Sequence, residues 1–158
     1  MATERYFQHA GVTYGYDATQ TELIAAAVAA GWTEATGSWP PAPPAPTLAQ
    51  RAEAASVSGL TITLTGSITL AATLFPTDPV AQSKIAAMNA MATAGALPTG
   101  FTTYDMRDNV GVWHHFTAAQ YQAVAHAIAA YVAVLSLIVD ENPNAPVSLP
   151  ASSVTITV

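Results

Sequence analysis

The chain has 158 residues, a net charge of −6, no cysteine and only four Lys or Arg side chains: Arg5, Arg51, Lys84 and Arg107. That length can bury one core plus a small appended module. The missing thiols exclude a disulfide scaffold and a thiolate metal site, and so few cations exclude the basic track that nucleic acid requires. Residues 5–16 read as a β-hairpin with Tyr6, Val12, Tyr14 and Tyr16 as strand positions and His9-Ala10-Gly11 as the turn. Thr19 and Glu22 have the spacing of a capping box for a helix over 23–30, which Gly31 ends. Trp32 follows where it can fold back on the hairpin. This ββα head, residues 1–36, is too small for a secure core of its own.

Residues 37–46 form a Pro-rich linker. Pro40, Pro41, Pro43, Pro44 and Pro46 favour a stiff polyproline II rod. It reads as a hinge between modules, because the basic residues usual in proline-rich ligands are missing. Trp39, beside the prolines, is expected to be covered by something.

The main domain is expected over residues 47–141. Thr47 and Gln50 make a capping box for a short helix that Gly59 ends. Leu60, Ile62 and Leu64 then alternate with threonines, and past a tight turn at 65–67 Ile68, Leu70 and Leu74 continue the same phase, so two strands are expected. Asp78 can cap a helix whose first residue is Pro79, where the missing N–H costs nothing. Ile85, Met88 and Met91 lie along one side of that helix and read as core filler. Residues 101–116 read as a second hairpin turning near Asp108-Asn109-Val110-Gly111. Thr117 and Gln120 open a long helix over 118–139, with Tyr121, Val124, Ile128, Val132 and Leu135 on one stripe.

Within that helix, Ala123 to Val139 is apolar apart from His126 and Ser136. Such a run is at the short limit for a membrane span and has no basic flank, so it reads as a buried central helix. The first five residues lack the apolar core of a signal peptide. Residues 142–158 form an extension in which Val154, Ile156 and Val158 alternate with Ser153, Thr155 and Thr157. A strand this apolar must pair, either in the chain's own sheet or at a neighbour's edge.

Residues able to do chemistry are sparse. There is no Gly-x-Ser-x-Gly elbow, no phosphate-binding Gly-rich loop followed by Lys, and no His-Glu-x-x-His. His114 and His115 are strand neighbours and point to opposite faces, so they cannot chelate one metal. Asp105 and Asp108 are expected to make turn hydrogen bonds, and Asp78 is explained as a cap. No catalytic, metal or cofactor site is therefore expected.

Three blocks carry a resemblance: FPTDPVAQSKIAAMNA at 75–90, TYDMRDNVGVWHHFTAAQYQAVAHAIAAYV at 103–132, and ERYFQHAGVTYGYDATQTELIAAAVAAGW at 4–32. Together they resemble a domain common in bacteriophage and prophage tail proteins, encoded beside tail fibres and their assembly proteins. The resemblance implies a non-enzymatic structural or connecting protein near the tail fibre or baseplate. It would be made in the bacterial cytoplasm and reside in the virion tail. Its partners would be other tail proteins or a second copy of itself, with no nucleic acid, membrane or cofactor. A tail-fibre assembly chaperone absent from the virion is one alternative. A carbohydrate-binding module stacking sugars on Trp32, Trp39 or Trp113 is another. The expected fold is α+β, with antiparallel β-hairpins packed on a long Ala-rich helix and a ββα head on the linker. The expected partner contacts are Trp39, Pro40, Pro41, Pro43 and Pro44 in the linker, and Val154, Ile156 and Val158 in the last strand.

Overall fold

The computed structural model describes residues 4–35, 44–97 and 99–158. The fold is α+β and divides into two compact units, Met1–Ala45 and Pro46–Val158.

The first unit is a three-stranded antiparallel sheet with one helix. Strands β1 (Glu4–His9) and β2 (Val12–Asp17) pair through a two-residue turn. Both turn residues, Ala10 and Gly11, have positive φ, the backbone that a right-twisted hairpin needs. Helix α1 (Thr21–Ala29) follows, and β3 (Thr33–Glu34) returns along the free side of β1. The sequence pattern does not announce β3. The expected Thr19–Glu22 capping box does not form. Instead Asp17 accepts hydrogen bonds from both the N–H and the hydroxyl of Thr19, at 2.9 and 2.8 Å. The helix starts behind Gln20, which makes no side-chain cap. Phe7, Ile24 and Ala27 are buried, with Tyr16 and Trp32 packed against them. Trp32 folds back as expected, stacking on His9 at 5.2 Å and leaning on Tyr14 at 4.7 Å. Arg5 grips Glu34 across β1 and β3 with two bonds of 2.7 and 2.6 Å.

The second unit is built around α4 (Ala118–Val139). Its N-terminal capping box is complete, with Thr117 accepting from Gln120 N–H and Gln120 accepting from Thr117 N–H. Tyr121, Val124, Ala125, Ile128, Tyr131, Leu135 and Ile138 are buried along it. By length and composition alone α4 could cross a membrane. Here its apolar face packs on α2 (Leu48–Ser58) and α3 (Pro79–Thr93) and touches strands of both sheets. Helix α2 carries the complete Thr47–Gln50 box.

One sheet has the order β5-β4-β8, from β4 (Leu60–Thr65), β5 (Leu70–Phe75) and β8 (Ser153–Thr157). Leu60, Ile62 and Leu64 point into the core as the alternation requires. The phase expected for β5 holds only at its start. A bulge between Ile62 and Leu64 shifts the register, so Leu70 faces Leu64 while Phe75 faces Leu60. Phe75 is consequently buried, and Leu74 is 39% exposed. The connection is also longer than a tight turn, covering 66–69. Strand β8 pairs parallel with β4, from Thr61 beside Ser153 to Thr65 beside Thr157. Residues 142–158 thus belong to the second unit, and the apolar tail closes the chain's own sheet. The other sheet is the hairpin of β6 (Tyr104–Arg107) and β7 (Trp113–Phe116).

Candidate functional site

A cleft of about 610 Å³ opens between α3 and β6. Its walls are made by helix N-capping on one side and by a tied hairpin turn on the other.

On the helix side, Asp78 Oδ1 accepts from the N–H groups of Val80 and Ala81, at 3.0 and 3.1 Å, and Pro79 stands at the first helical position. Buried Thr77 donates to the Ser56 carbonyl at 2.6 Å, tying the start of α3 to the end of α2. So anchored, α3 turns Val80, Lys84, Met88 and Met91 toward the cleft. Met88 and Met91 are half-buried, packing on the core with one side and lining the cleft with the other. Ile85 and Tyr121 form the floor.

On the strand side, Asp108 is the organising residue. One carboxylate oxygen accepts from Val110 and Val112 N–H, at 3.0 and 2.8 Å, and the other meets His114 Nε2 at 2.9 Å. The His114 bond pulls the Asp108 pKa down; burial opposes it, and the two backbone bonds add to the lowering. Asn109 N–H donates to the Leu74 carbonyl at 2.9 Å, which pins the turn against β5. Arg107 donates through Nε to the Gly111 carbonyl at 2.9 Å and drapes over that glycine.

Asp105 lies in β6, not in the turn. It faces His115 across the hairpin, with Nδ1 at 2.8 Å, and accepts from the Thr103 hydroxyl at 2.8 Å. Burial acts to raise the Asp105 pKa, but the bonds from His115 and Thr103 together leave it lowered. The two histidines point to opposite faces, each to its own aspartate. An Asp–His pair can orient an imidazole for base catalysis. In the Asp105–His115 pair, however, the neighbouring hydroxyl of Thr103 is bonded to the carboxylate and not to the imidazole. Among the described residues no group of three or more His, Asp or Glu is placed to hold a metal.

The expected partner contacts fall elsewhere. Trp39, Pro40, Pro41 and Pro43 lie outside the described residues, and Pro44 is exposed. Val154 and Ile156 lie in β8 and Val158 directly follows it; Ile156 and Val158 pack on the core and Val154 is 36% exposed. Sequence reasoning named none of the cleft as a site apart from Trp113 as a sugar platform. The sequence held only a fragment of it. Lys84 lies on the same helix as the methionine stripe, whereas the placing of Arg107 opposite Trp113 comes from the hairpin register.

The fold and cleft define a two-unit α+β protein whose larger unit presents an open, mostly apolar groove beside a strand edge that has no strand partner among the described residues. The chain belongs to the DUF4376 family, a domain of unknown function, whose model matches residues 44–135. That segment contains every residue lining the cleft and excludes β8. Neither a curated protein nor a solved structure matches the chain.

Proposed function

We propose that this chain is a non-enzymatic connecting protein of a bacteriophage or prophage tail, seated near the tail fibre or baseplate. The reading rests on the resemblance of its three sequence blocks to tail proteins, and the chemistry of the cleft carries it. Val80, Met88 and Met91 offer apolar surface, and Trp113 is 58% exposed at the border. The acids there each have a structural bond. Asp78 caps α3, while Asp105 and Asp108 each hold a histidine. Such a groove is suited to gripping a partner.

Mass spectrometry of purified, induced particles tests the proposal. A stoichiometric amount of the chain in the virion is the expected result. Presence only in lysate, bound to fibre subunits, would replace the proposal with an assembly chaperone.

A second reading has one observation in its favour, the exposed indole of Trp113 beside polar groups of Asp105, Arg107 and Asp108. Aromatic faces next to hydrogen-bonding side chains suit sugar rings. Glycan-array binding by the whole chain, lost on Trp113→Ala, would establish it. Trp32 is a poor platform by comparison, since His9 and Tyr14 already cover its ring.

A further inference from the structure

The β6–β7 hairpin is a sheet of two strands, so one edge of β6 has no strand partner among the described residues. The hydrogen-bond phase identifies which groups that edge presents. Asp108 N–H donates to the Val112 carbonyl at 3.0 Å, and the register continues through Met106 opposite His114 and Tyr104 opposite Phe116. In an antiparallel pair, alternate positions exchange backbone bonds. Met106 and Tyr104 therefore bond to β7, and the N–H and C=O groups of Asp105 and Arg107 point the other way. The cleft is lined by three consecutive residues of β6 but by Trp113 alone from β7, so this open edge borders it.

The same two residues carry opposite charges, and each retains unclaimed bonding capacity. Asp105 uses Oδ1 for both His115 and Thr103. Arg107 uses Nε for Gly111, leaving its two terminal nitrogens without a partner among the described residues.

We propose that β6 pairs antiparallel with β6 of a second copy of this chain, about a two-fold axis through Met106. Only outward-pointing residues can exchange backbone bonds, so the register follows. Asp105 sits opposite Arg107 of the second copy, and Arg107 opposite its Asp105. Four backbone hydrogen bonds and two cross-strand ion pairs form at once, and the contact is isologous as a closed dimer requires. The hairpins merge into one four-stranded sheet. Each of two rows on its outer face then reads Trp113, Arg107, Asp105 and His115, the first two from one copy and the last two from the other. The pattern Asp-x-Arg on an open edge is self-complementary. Any register shifted by two residues loses the charge match.

The whole chain is tested by sedimentation velocity over roughly 1–300 µM, since an interface this short sits at the weak end of specific contacts. A monomer–dimer equilibrium is expected. Asp105→Arg or Arg107→Asp alone sets like charges opposite each other and weakens the dimer by tenfold or more. The double variant restores opposite pairs and recovers most of the affinity. Because Asp105→Arg also removes the His115 bond, a second readout uses the unmodified chain. The amide protons of Asp105 and Arg107 should exchange more slowly as protein concentration rises. A chain that stays monomeric throughout overturns the proposal, even if the edge captures an unrelated peptide. So does a dimer indifferent to both charge reversals. Neither result bears on whether the protein is found in virions, so the two proposals fail separately.

Discussion

At the scale of single residues, Asp108 does most to shape the candidate site. Three hydrogen bonds converge on its carboxylate, from His114, Val110 and Val112, and its pKa lies below the ordinary 3.8 because His114 binds the charged form. The sign of the linkage follows. In the unfolded chain the group titrates near its ordinary value, and in the folded chain at a lower pH. The stabilisation is therefore complete above the ordinary value and is lost as pH falls through it and on through the folded value. We predict that the melting temperature of the unmodified chain falls steeply below about pH 4. Asp108→Asn should melt lower at neutral pH, because an amide oxygen cannot match a carboxylate under two N–H donors. It should also lose less on acidification. Thermal melts across about pH 3 to 7 check both, and parallel curves for the two proteins would refute the assignment. The residue was legible as a turn former. Its hold on His114 was not, because that contact depends on a strand register no local pattern specifies.

Secondary-structure elements were legible where the signal is carried by neighbours in sequence. The Thr47–Gln50 and Thr117–Gln120 boxes and the Asp78–Pro79 start all form. Each needs only residues within one helical turn. The Thr19–Glu22 box failed for an equally local reason, since Asp17 competes for Thr19. Strand phase in β5 was misread because a bulge adds a residue without leaving a sequence mark. The cleft could not be read at all. It arises where a helix wall meets the open edge of a hairpin, which only tertiary packing brings together.

The last strand illustrates the same dependence on long-range contacts. Val158 is clamped by the loop after β4, with its N–H donating to the Thr65 carbonyl at 2.8 Å and its own carbonyl accepting from Ser67 N–H at 2.6 Å. Gly66 permits this approach. It has a φ of +107°, and a Cβ there would lie 2.2 Å from the Val158 carbonyl oxygen. We expect Gly66→Ala to cost roughly 2–4 kcal/mol, from backbone strain plus displaced backbone. It should also speed amide exchange in β8 selectively. Gly95→Ala is the control. Gly95 also has positive φ, +65°, but a Cβ there meets nothing within 4 Å, so strain alone should cost about 1 kcal/mol. Equal costs at the two positions would mean that the clamp contributes nothing.

Over the whole molecule, the two units differ sharply in what they can bury. Among the described residues the first unit encloses Phe7, Ile24 and Ala27, whereas the second encloses seventeen apolar residues spread over α2, α3, α4 and all its sheet strands but β8, with Ile156 of β8 and the following Val158 packed against them. Burying an aliphatic or aromatic side chain yields about 1.5–3 kcal/mol. Ordering each residue costs about 1–2 kcal/mol of backbone entropy. Three buried side chains cannot offset the ordering of a head this size, and the exposed Arg5–Glu34 pair adds little. The larger core is of the scale that supports an independent domain. We therefore predict that residues 44–158 alone melt cooperatively, within a few degrees of the main transition of the whole chain. Residues 1–45 alone should show no cooperative transition by circular dichroism. A 44–158 fragment without cooperativity would mean that its core depends on the head. A stably folded 1–45 would mean that the stacked aromatic cluster of Trp32, His9 and Tyr14 contributes far more than its buried area implies. Because the cleft, the β6 edge and the β8 clamp all lie within Pro46–Val158, the 44–158 fragment should also keep the concentration-dependent pairing of the full chain. That outcome would assign recognition to the DUF4376 unit itself.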